Sequence, residues 1–188
     1  ESLKILKEAN ALIEGHFILS SGLHSSQYVQ CAQLMSKPDK AIKLCESLAE
    51  KIKQEFKEID IILSPAMGGI VVGYEIGKLL NKESIFSERV SGEFKLRRDF
   101  SIKKNQKVLI IEDVITTGKS SLECSKLVLD NNAKIVGYAC IIDRSNGNSC
   151  IKDKIVSQIE LKIPTYSKEN LPNNLQALKA VKPGSRNL

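Results

Sequence analysis

The spacing of the hydrophobic positions changes partway along the chain. Near the start, apolar residues recur every three or four positions, which predicts amphipathic helices over residues 3–13 and 38–56. Between them, short apolar runs flank a turn rich in serine, glycine and histidine, and this pattern indicates a small hairpin-like unit. Further along, short and nearly continuous apolar runs alternate with segments of helical length, which is typical of parallel strands buried on both faces. The predicted strands are 59–63, 84–86, 108–111 and 135–142, and the predicted helices are 69–80 and 117–130.

The order of these elements predicts an α/β fold, with a doubly wound, mostly parallel sheet flanked by helices. No internal repeat, low-complexity tract or linker interrupts the chain, so we expect one domain over residues 1–188. The last part of the chain is rich in proline and is expected to be irregular and to pack against the amino-terminal segment. Within the domain we expect a small hood, built from residues 1–37 and 160–188, over a core of residues 38–159.

The composition limits the classes of partner and the cellular compartment that we expect, but it does not indicate one function. The formal net charge of +6 suits an anionic partner, whether nucleic acid, a lipid surface or a phosphorylated metabolite. Five cysteines form an odd set without a Cys-x-x-Cys pair, so neither a disulfide framework nor a zinc knuckle is predicted, and a reducing cytoplasm is expected. No segment has the character of a signal peptide or a membrane span, so we expect neither secretion nor membrane insertion.

The most informative stretch is residues 108–120, where four apolar residues are followed by two adjacent carboxylates, Glu112 and Asp113. In an open α/β sheet, ligands bind beyond the carboxyl ends of the strands, so the pair is expected beside a substrate. Adjacent carboxylates repel each other and lose hydration on burial, and they need hydrogen bonds or positive charge in return. Sugar hydroxyls supply the hydrogen bonds, and a magnesium ion would supply the charge. A strand end that caps the next helix from solvent is the alternative interpretation.

The turn that follows, Thr116-Thr117-Gly118-Lys119-Ser120, offers hydroxyl groups, consecutive backbone N–H groups and a helix amino terminus, a combination that binds phosphate. Gly118 has no side chain, which allows the backbone to approach a ligand closely. The tail Gly-Lys-Ser also occurs in Walker A loops, but that motif requires glycine where this chain has Asp113. A nucleoside triphosphatase is therefore excluded.

Residues 108–120 resemble the motif for phosphoribosyl pyrophosphate (PRPP) of the type I phosphoribosyltransferases, in which a buried strand, two acidic residues and a Thr/Gly loop follow one another. The form Glu-Asp-Val-Ile-Thr-Thr-Gly is similar to that of the orotate phosphoribosyltransferases. Four further segments share the resemblance: Gly15-His-Phe-Ile-Leu-Ser-Ser-Gly-Leu-His-Ser, Ser64-Pro-Ala-Met-Gly-Gly-Ile-Val-Val-Gly-Tyr-Glu, Asp143-Arg-Ser and Lys182-Pro-Gly-Ser-Arg. The resemblance spans nearly the whole chain and implies a type I phosphoribosyltransferase-like fold.

This resemblance implies transfer of the 5-phosphoribosyl group from PRPP to orotate, giving orotidine 5′-monophosphate and pyrophosphate in de novo pyrimidine (UMP) biosynthesis. Mg²⁺ is the implied cofactor, held mainly by PRPP, with Asp113 as a candidate protein ligand. The implied assembly is a homodimer. Neither a nucleic acid nor a membrane partner is expected.

The resemblance also implies roles for individual residues. PRPP would be held, with the acids on the ribose hydroxyls and the loop on the 5′-phosphate, by Glu112, Asp113, Val114, Ile115, Thr116, Thr117, Gly118, Lys119 and Ser120. Pyrophosphate would be held by the backbone amides of Ala66, Met67, Gly68 and Gly69. Orotate would contact Thr116, Arg144 and Tyr28. An arginine suits the orotate carboxylate because its planar guanidinium can donate two parallel hydrogen bonds.

Parts of the chain depart from the family pattern. Many orotate enzymes carry an aromatic residue and a lysine at the positions of Met67 and Gly68, and a lysine at the position of Ser20. The segment 88–99 stands where the mobile catalytic loop is expected, but it lacks the usual loop motif. Its candidates to neutralise the departing pyrophosphate, within one subunit or across a dimer, are Arg89, Lys95, Arg97 and Arg98. A solvated basic hairpin is the alternative.

Several alternatives stay open on the sequence. Arg144 could instead pair with Asp143 or Asp153, and Tyr28 could be a core aromatic. His16 and His24 are expected in turn packing or at the surface rather than in catalysis. The protein could transfer the same group to a purine or another pyrimidine, or it could be a non-catalytic regulator that senses PRPP and binds nucleic acid. The aromatic content of 5% disfavours a platform for single-stranded nucleic acid.

Overall fold

The structure, a computed structural model, describes residues 1–19 and 21–183. In chain order its helices and strands are α1 (Ser2–Glu8), β1 (Leu12–Ile18), β2 (His24–Val29), α2 (Cys31–Met35), α3 (Pro38–Glu55), β3 (Ile61–Pro65), α4 (Gly68–Leu80), β4 (Glu83–Val90), β5 (Glu93–Leu96), β6 (Lys107–Ile115), α5 (Lys119–Asp130), β7 (Lys134–Asp143), β8 (Ile155–Glu160), β9 (Thr165–Tyr166) and α6 (Asn173–Gln176). A short 3-10 helix, Lys168–Asn170, lies between β9 and α6.

A six-stranded sheet lies at the centre of the fold, in the order β5-β4-β3-β6-β7-β8. All its strands are parallel except β5, which pairs antiparallel with β4 at one edge. A smaller antiparallel sheet, in the order β1-β2-β9, is formed by the two ends of the chain. The predicted α/β fold with a mostly parallel sheet is confirmed.

Both faces of the central sheet are buried, because alternate residues of its strands enter two separate hydrophobic clusters. Leu109 and Ile111 of β6 pack with residues of α3 and α4 on one face, whereas Val108 and Ile110 pack with residues of α5 on the other. This two-sided burial explains the nearly continuous apolar runs of the sequence. The same alternation sends the next two side chains of β6, Glu112 and Asp113, to opposite faces of the sheet.

Helix α4 approaches the sheet closely because it is built on glycines. A Cβ atom on Gly77 would lie 2.9 Å from the Cβ of Ser84 and 3.0 Å from the carbonyl oxygen of Lys82, closer than side chains pack. Gly73 is likewise buried against β3. This close approach brings the first turn of α4 beside the carboxyl end of β6.

The two ends of the chain meet in the smaller sheet, as the sequence predicts. β9 pairs with β2 through Tyr166 and His24, and Val181 forms a bridge to Phe17. Leu6 of α1 enters the same hydrophobic cluster as α3, so the smaller sheet and its helix are attached to the central unit by shared apolar contacts. The division into a hood and a core stays a prediction.

The predicted first helix is wrong at its C-terminal end. Helix α1 ends at Glu8, Asn10 adopts a left-handed backbone with φ 57°, and Leu12 and Ile13 belong to β1. Asparagine tolerates that conformation, which stops a helix. Three strands were also missed, β5, β8 and the two-residue β9. All three lie at sheet edges, and β5 and β8 mix polar with apolar residues, so their pattern lacks the apolar run of a buried strand.

Among the described residues, no helix combines the length and the apolar character that a membrane span needs. All the cysteines are free thiols; Cys150 is exposed and the others are buried.

Candidate active site

Three neighbouring parallel strands end at the same edge of the central sheet: β3 at Pro65, β6 at Ile115 and β7 at Asp143. The predicted glycine turn follows β3, the predicted phosphate loop follows β6, and Arg144 follows β7. Three distant segments of the sequence therefore meet at one edge, the edge at which open α/β sheets bind their ligands.

Asp113 and Gly68 are in close contact at this edge. A Cβ atom on Gly68 would lie 2.5 Å from Oδ2 and 2.8 Å from Oδ1 of Asp113, so the carboxylate leaves no room for a side chain there. Helix α4 begins at Gly68, directly after a cis peptide bond between Ala66 and Met67. Oδ1 of Asp113 also accepts a hydrogen bond from the N–H of Val114 at 2.8 Å. Asp113 and the glycine turn after β3 therefore line the same part of the sheet edge.

Glu112 lies on the other face of the sheet, beneath α5, with 9% of its surface exposed. Burial raises the pKa of the Glu112 carboxyl to about 8, and the charge of Asp113 contributes further. Burial likewise raises the pKa of Asp113. Both acids are costly as anions without a ligand, and hydrogen-bond donors or a cation brought by a ligand would relieve that cost.

The loop after β6 turns at a left-handed glycine and is supported from behind. Gly118 has φ 79° and immediately precedes α5, whose first N–H groups have no partner within the helix. A Cβ atom on Gly118 would lie 2.5 Å from Oγ of Ser149 and 2.8 Å from Cγ1 of Ile151. The carbonyl oxygen of Thr117 accepts the N–H of Cys150 at 2.8 Å. Residues 149–151 therefore hold the loop, a role for which the sequence carries no recognisable signal.

The strand that carries the acids is longer than predicted. It runs to Ile115 rather than Ile111, and Val114 and Ile115 pair with Ile142 and Asp143 of β7. Ile115 is buried in the core, so its side chain is not available to a ligand. Beyond the strand, Thr116, Thr117 and Lys119 are exposed and Ser120 is half-buried. The open part of the loop is therefore 116–120.

Arg144 is half-buried and has no ion-pair partner within 4 Å among the described residues. Its backbone N–H donates to the carbonyl oxygen of Ile115 at 2.9 Å, which fixes it beside the phosphate loop. Burial lowers the pKa of its guanidinium, and the nearby Tyr28 phenol opposes this shift. The expected alternative, a salt bridge with Asp143 or Asp153, does not form.

Tyr28 is half-buried on β2 and packs against Phe17, with ring centroids 5.7 Å apart. Its phenol is close enough to Arg144 to affect the arginine pKa. Tyr28 therefore joins the smaller sheet to the edge of the central one, and it is neither a fully buried core residue nor a free surface residue.

The segment 88–99 forms a β-hairpin at the edge of the central sheet, in which β4 and β5 pair through a turn at Ser91 and Gly92. Arg89 pairs with Glu123, and its guanidinium lies 4.1 Å from the centroid of the Phe94 ring. Arg98 donates two hydrogen bonds to Glu88, each of 3.0 Å. Lys95 and Arg97 are exposed, and neither forms an ion pair with another described residue. The four basic candidates thus divide into two paired and two free cations.

His16 and His24 are both buried. Of the two expected positions, packing and surface, the structure shows packing. Nε2 of His16 lies 2.6 Å from Nδ1 of His24, and Nδ1 of His16 lies 3.1 Å from the carbonyl oxygen of Leu178. They link the smaller sheet to the C-terminal segment. Ser20 and the end of the Lys182-Pro-Gly-Ser-Arg motif lie outside the described residues.

A parallel sheet that brings an acidic pair, a glycine turn and the loop 116–120 to its carboxyl edge is the arrangement expected of a phosphoribosyltransferase domain. The family model of the phosphoribosyl transferase domain matches residues 35–169. The solved structure of orotate phosphoribosyltransferase from Aeropyrum pernix has the same fold, with a TM-score of 0.75 and 23% identity over 86% of this chain and 94% of that chain.

Sequence similarity defines the family more narrowly. The orotate phosphoribosyltransferase of Parvibaculum lavamentivorans is 47% identical over 98% of this chain and 97% of its own length. That of Rhizorhabdus wittichii is also 47% identical, over 96% of this chain and 92% of its own length. The chain belongs to the orotate phosphoribosyltransferase family, and the resemblance found in its motifs is confirmed.

Replacement of Glu112 with glutamine should stabilise the ligand-free protein at alkaline pH. The pKa of this carboxyl is about 8 in the folded protein, against 4.5 for the ordinary group, so the folded state favours the proton. The stability contributed by the protonated group is complete below the ordinary pKa and is lost as the pH rises through the folded pKa. With chelator-treated protein, we expect Glu112→Gln to raise the melting temperature by about 5 °C or more at about pH 9 and by much less at about pH 5.

The matched control for this prediction is Glu160→Gln, which neutralises an exposed carboxylate at the end of β8. Its melting temperature should differ from that of the parent protein by a similar amount at every pH. If the advantage of Glu112→Gln did not grow with pH, the energetic cost assigned to the buried charge would be wrong.

Proposed function

We propose that the protein transfers the 5-phosphoribosyl group from PRPP to orotate, giving orotidine 5′-monophosphate and pyrophosphate, the step that serves UMP synthesis. The observation that carries this proposal is the contact between Asp113 and Gly68. A carboxylate that binds ribose hydroxyls and a turn whose backbone amides bind pyrophosphate must lie side by side to hold PRPP. The family to which the chain belongs supports the same reaction.

In this proposal the ribose hydroxyls of PRPP bind Glu112 and Asp113, and the 5′-phosphate binds the open loop 116–120. The loop is suited to phosphate because its glycine and the start of α5 expose backbone N–H groups. The turn Ala66–Gly69 would bind the pyrophosphate through its amides. No lysine stands in that turn, so the charge of pyrophosphate must be balanced by other groups.

Orotate would bind between Thr116, Arg144 and Tyr28. The guanidinium of Arg144 is half-buried without an ion-pair partner among the described residues, and a carboxylate would replace the hydration that it has lost. Tyr28 offers an aromatic face close to that guanidinium. A purine base lacks the carboxylate, so this site favours orotate over adenine or hypoxanthine.

The chemistry requires alignment rather than a protein nucleophile. Displacement at the anomeric carbon builds positive charge on the ribose ring, as in glycoside cleavage. Orotate must lie opposite the departing pyrophosphate, and the two acids at the ribose would favour the developing charge. Exclusion of water from the site would prevent hydrolysis of PRPP.

We also propose that Mg²⁺ accompanies PRPP. Mg²⁺ prefers oxygen ligands and keeps several waters, and the Asp113 carboxylate beside the glycine turn could supply one oxygen. Among the described residues no group of three acids, histidines or cysteines could hold a metal ion. The diphosphate of PRPP would therefore supply the other ligands. The expected cytoplasmic location stays a prediction.

The protein is proposed to act as a homodimer. Met67, Val71 and Tyr74 are each more than half exposed and follow one another at helical spacing along the start of α4, so they form an apolar stripe beside the glycine turn. A second copy of the chain that covered this stripe would lie next to the active site. That position would allow the hairpin 88–99 of one subunit to reach the site of the other.

A direct assay tests the reaction. When purified protein is mixed with PRPP, Mg²⁺ and orotate, the absorbance of orotate should fall and pyrophosphate should be released. The same protein should release no pyrophosphate with adenine, hypoxanthine or uracil. Turnover with one of these bases would favour a different phosphoribosyltransferase, and salt-sensitive binding of nucleic acid without turnover would favour a regulator.

Arg144→Ala should impair the use of orotate far more than the use of PRPP. Hydrogen bonds to charged groups contribute roughly 1.5–3 kcal/mol, so we expect the KM for orotate to rise roughly ten- to hundredfold and the KM for PRPP by less than about threefold. Arg144→Lys keeps the charge but loses the planar pair of donors, and it should recover only part of the loss. Equal effects on both substrates would argue against the carboxylate contact.

The free cations of the hairpin should matter more than the paired ones. Lys95→Ala and Arg97→Ala should each lower kcat by about tenfold or more, because each removes positive charge available to the departing pyrophosphate. Arg98→Ala should have a smaller effect, because Glu88 already engages that guanidinium. Single-turnover rates of the three variants test this order. A larger loss for Arg98→Ala would reverse the assignment.

Tyr74→Glu should weaken the dimer, since it introduces a charge into the apolar stripe of α4. Light scattering after size exclusion should show a smaller mass for this variant than for the parent protein at micromolar concentration. Leu129→Glu, which alters an equally exposed apolar residue on α5, should leave the mass unchanged. A parent protein that is monomeric under these conditions would refute the proposal.

A further inference from the structure

Helix α5 turns a regular face toward the sheet. Its buried residues are Ser121, Cys124, Ser125 and Val128, which repeat every three to four positions. Ser121 is the first of them, one turn after Gly118, and only 1% of its surface is exposed. It therefore lies under the first turn of the helix, on the side that faces β6.

The Ser121 hydroxyl is buried, and no atom of the described residues forms a hydrogen bond with it. An unpartnered buried hydroxyl destabilises the folded state, so its retention calls for an explanation. The next hydroxyl on the same face, that of Ser125, donates to the carbonyl oxygen of Leu122 at 2.6 Å. Of these two buried serines, Ser121 therefore lacks a hydrogen-bond partner and Ser125 has one.

Glu112 lies on the face of the sheet that α5 covers. Val108 and Ile110, which precede it at alternate positions of β6, share a hydrophobic cluster with Cys124 and Val128 of α5. Glu112 continues this row toward the carboxyl end of β6, the end after which α5 begins. The Ser121 hydroxyl lies near the Glu112 carboxyl and favours its ionised form, which partly opposes the rise in pKa that burial causes.

Other donors near Glu112 are engaged elsewhere. Arg89 pairs with Glu123 and donates to the carbonyl oxygen of Gly92 at 2.7 Å. The Cys124 thiol lies 3.1 Å from the Ser87 hydroxyl. Ser121 is thus a donor without another acceptor, next to an acid that needs a donor when it is ionised.

We propose that Ser121 is a positioning residue for PRPP: its hydroxyl donates to the Glu112 carboxylate and orients it toward the ribose hydroxyls. Hydrogen bonds of this kind are often long in a ligand-free site and tighten when the substrate binds. The residue does not touch PRPP itself, because it is enclosed between α5 and β6. This inference rests on the proposed function of Glu112 in binding ribose.

The proposal predicts that loss of the Ser121 hydroxyl impairs the use of PRPP without destabilising the fold. Ser121→Ala should lower kcat/KM for PRPP by about tenfold, the effect of losing one charge-assisted hydrogen bond. The KM for orotate at saturating PRPP should change by less than about twofold. The melting temperature of the ligand-free variant should equal or exceed that of the parent, because an unpartnered hydroxyl has been removed. Ser121→Thr, which keeps the hydroxyl, should restore most of the use of PRPP.

The matched control is Ser125→Ala, on the same face of the same helix. It should leave kcat/KM for PRPP unchanged and should not raise the melting temperature, because that hydroxyl already has a partner. In a Glu112→Gln background, Ser121→Ala should have little further effect on the use of PRPP, since the two residues act as one unit.

The outcomes distinguish this inference from the proposed function. If the parent protein converts orotate and Ser121→Ala matches it in kcat/KM for PRPP, Ser121 has no positioning role. A loss of melting temperature together with equal losses for both substrates would identify a packing role and also overturn the inference. If the parent protein itself fails to convert orotate, the proposed function fails before Ser121 is tested.

Discussion

The burial of two adjacent carboxylates at the end of one strand is the constraint on which the site depends. Glu112 and Asp113 lie in the second half of β6, directly after four buried residues, and both have raised pKa values because they are taken out of water. A ligand-free site of this kind is held at an energetic cost. In the proposed function, ribose hydroxyls and a cation would relieve this cost when PRPP binds.

The sheet separates the two acids and gives each a different neighbour. Asp113 points to the face covered by α4, where Gly68 leaves room for its carboxylate. Glu112 points to the face covered by α5, where Ser121 lies. Because consecutive residues of a strand point to opposite faces, one pair of acids lies beneath both α4 and α5. Both helices begin at this edge, so their amino termini, which favour anions, lie at the same end of the sheet.

Much of the fold was predictable because parallel strands buried on both faces leave continuous apolar runs. The runs at residues 59–63, 108–111 and 135–142 mark three central strands, and β3, β6 and β7 contain nearly all of them. The edge strands β5 and β8 were missed because an edge strand needs no such run. The first helix was overextended because Leu12 and Ile13 suit a helix face as well as a strand, and only the left-handed Asn10 separates the two.

The sequence by itself determined the family, the parallel sheet and the acid-and-glycine motif, because these depend on the local pattern of apolar residues and on a contiguous run of residues along the chain. The tertiary structure decided which residues meet. It brought Gly68 against Asp113 and placed Cys150 and its neighbours behind the loop 116–120. Among the described residues, Arg144, Lys95 and Arg97 have no ion pair, whereas Arg89 and Arg98 pair with glutamates. Such contacts join positions far apart in the chain, and periodicity records which face a residue occupies but not what lies opposite it.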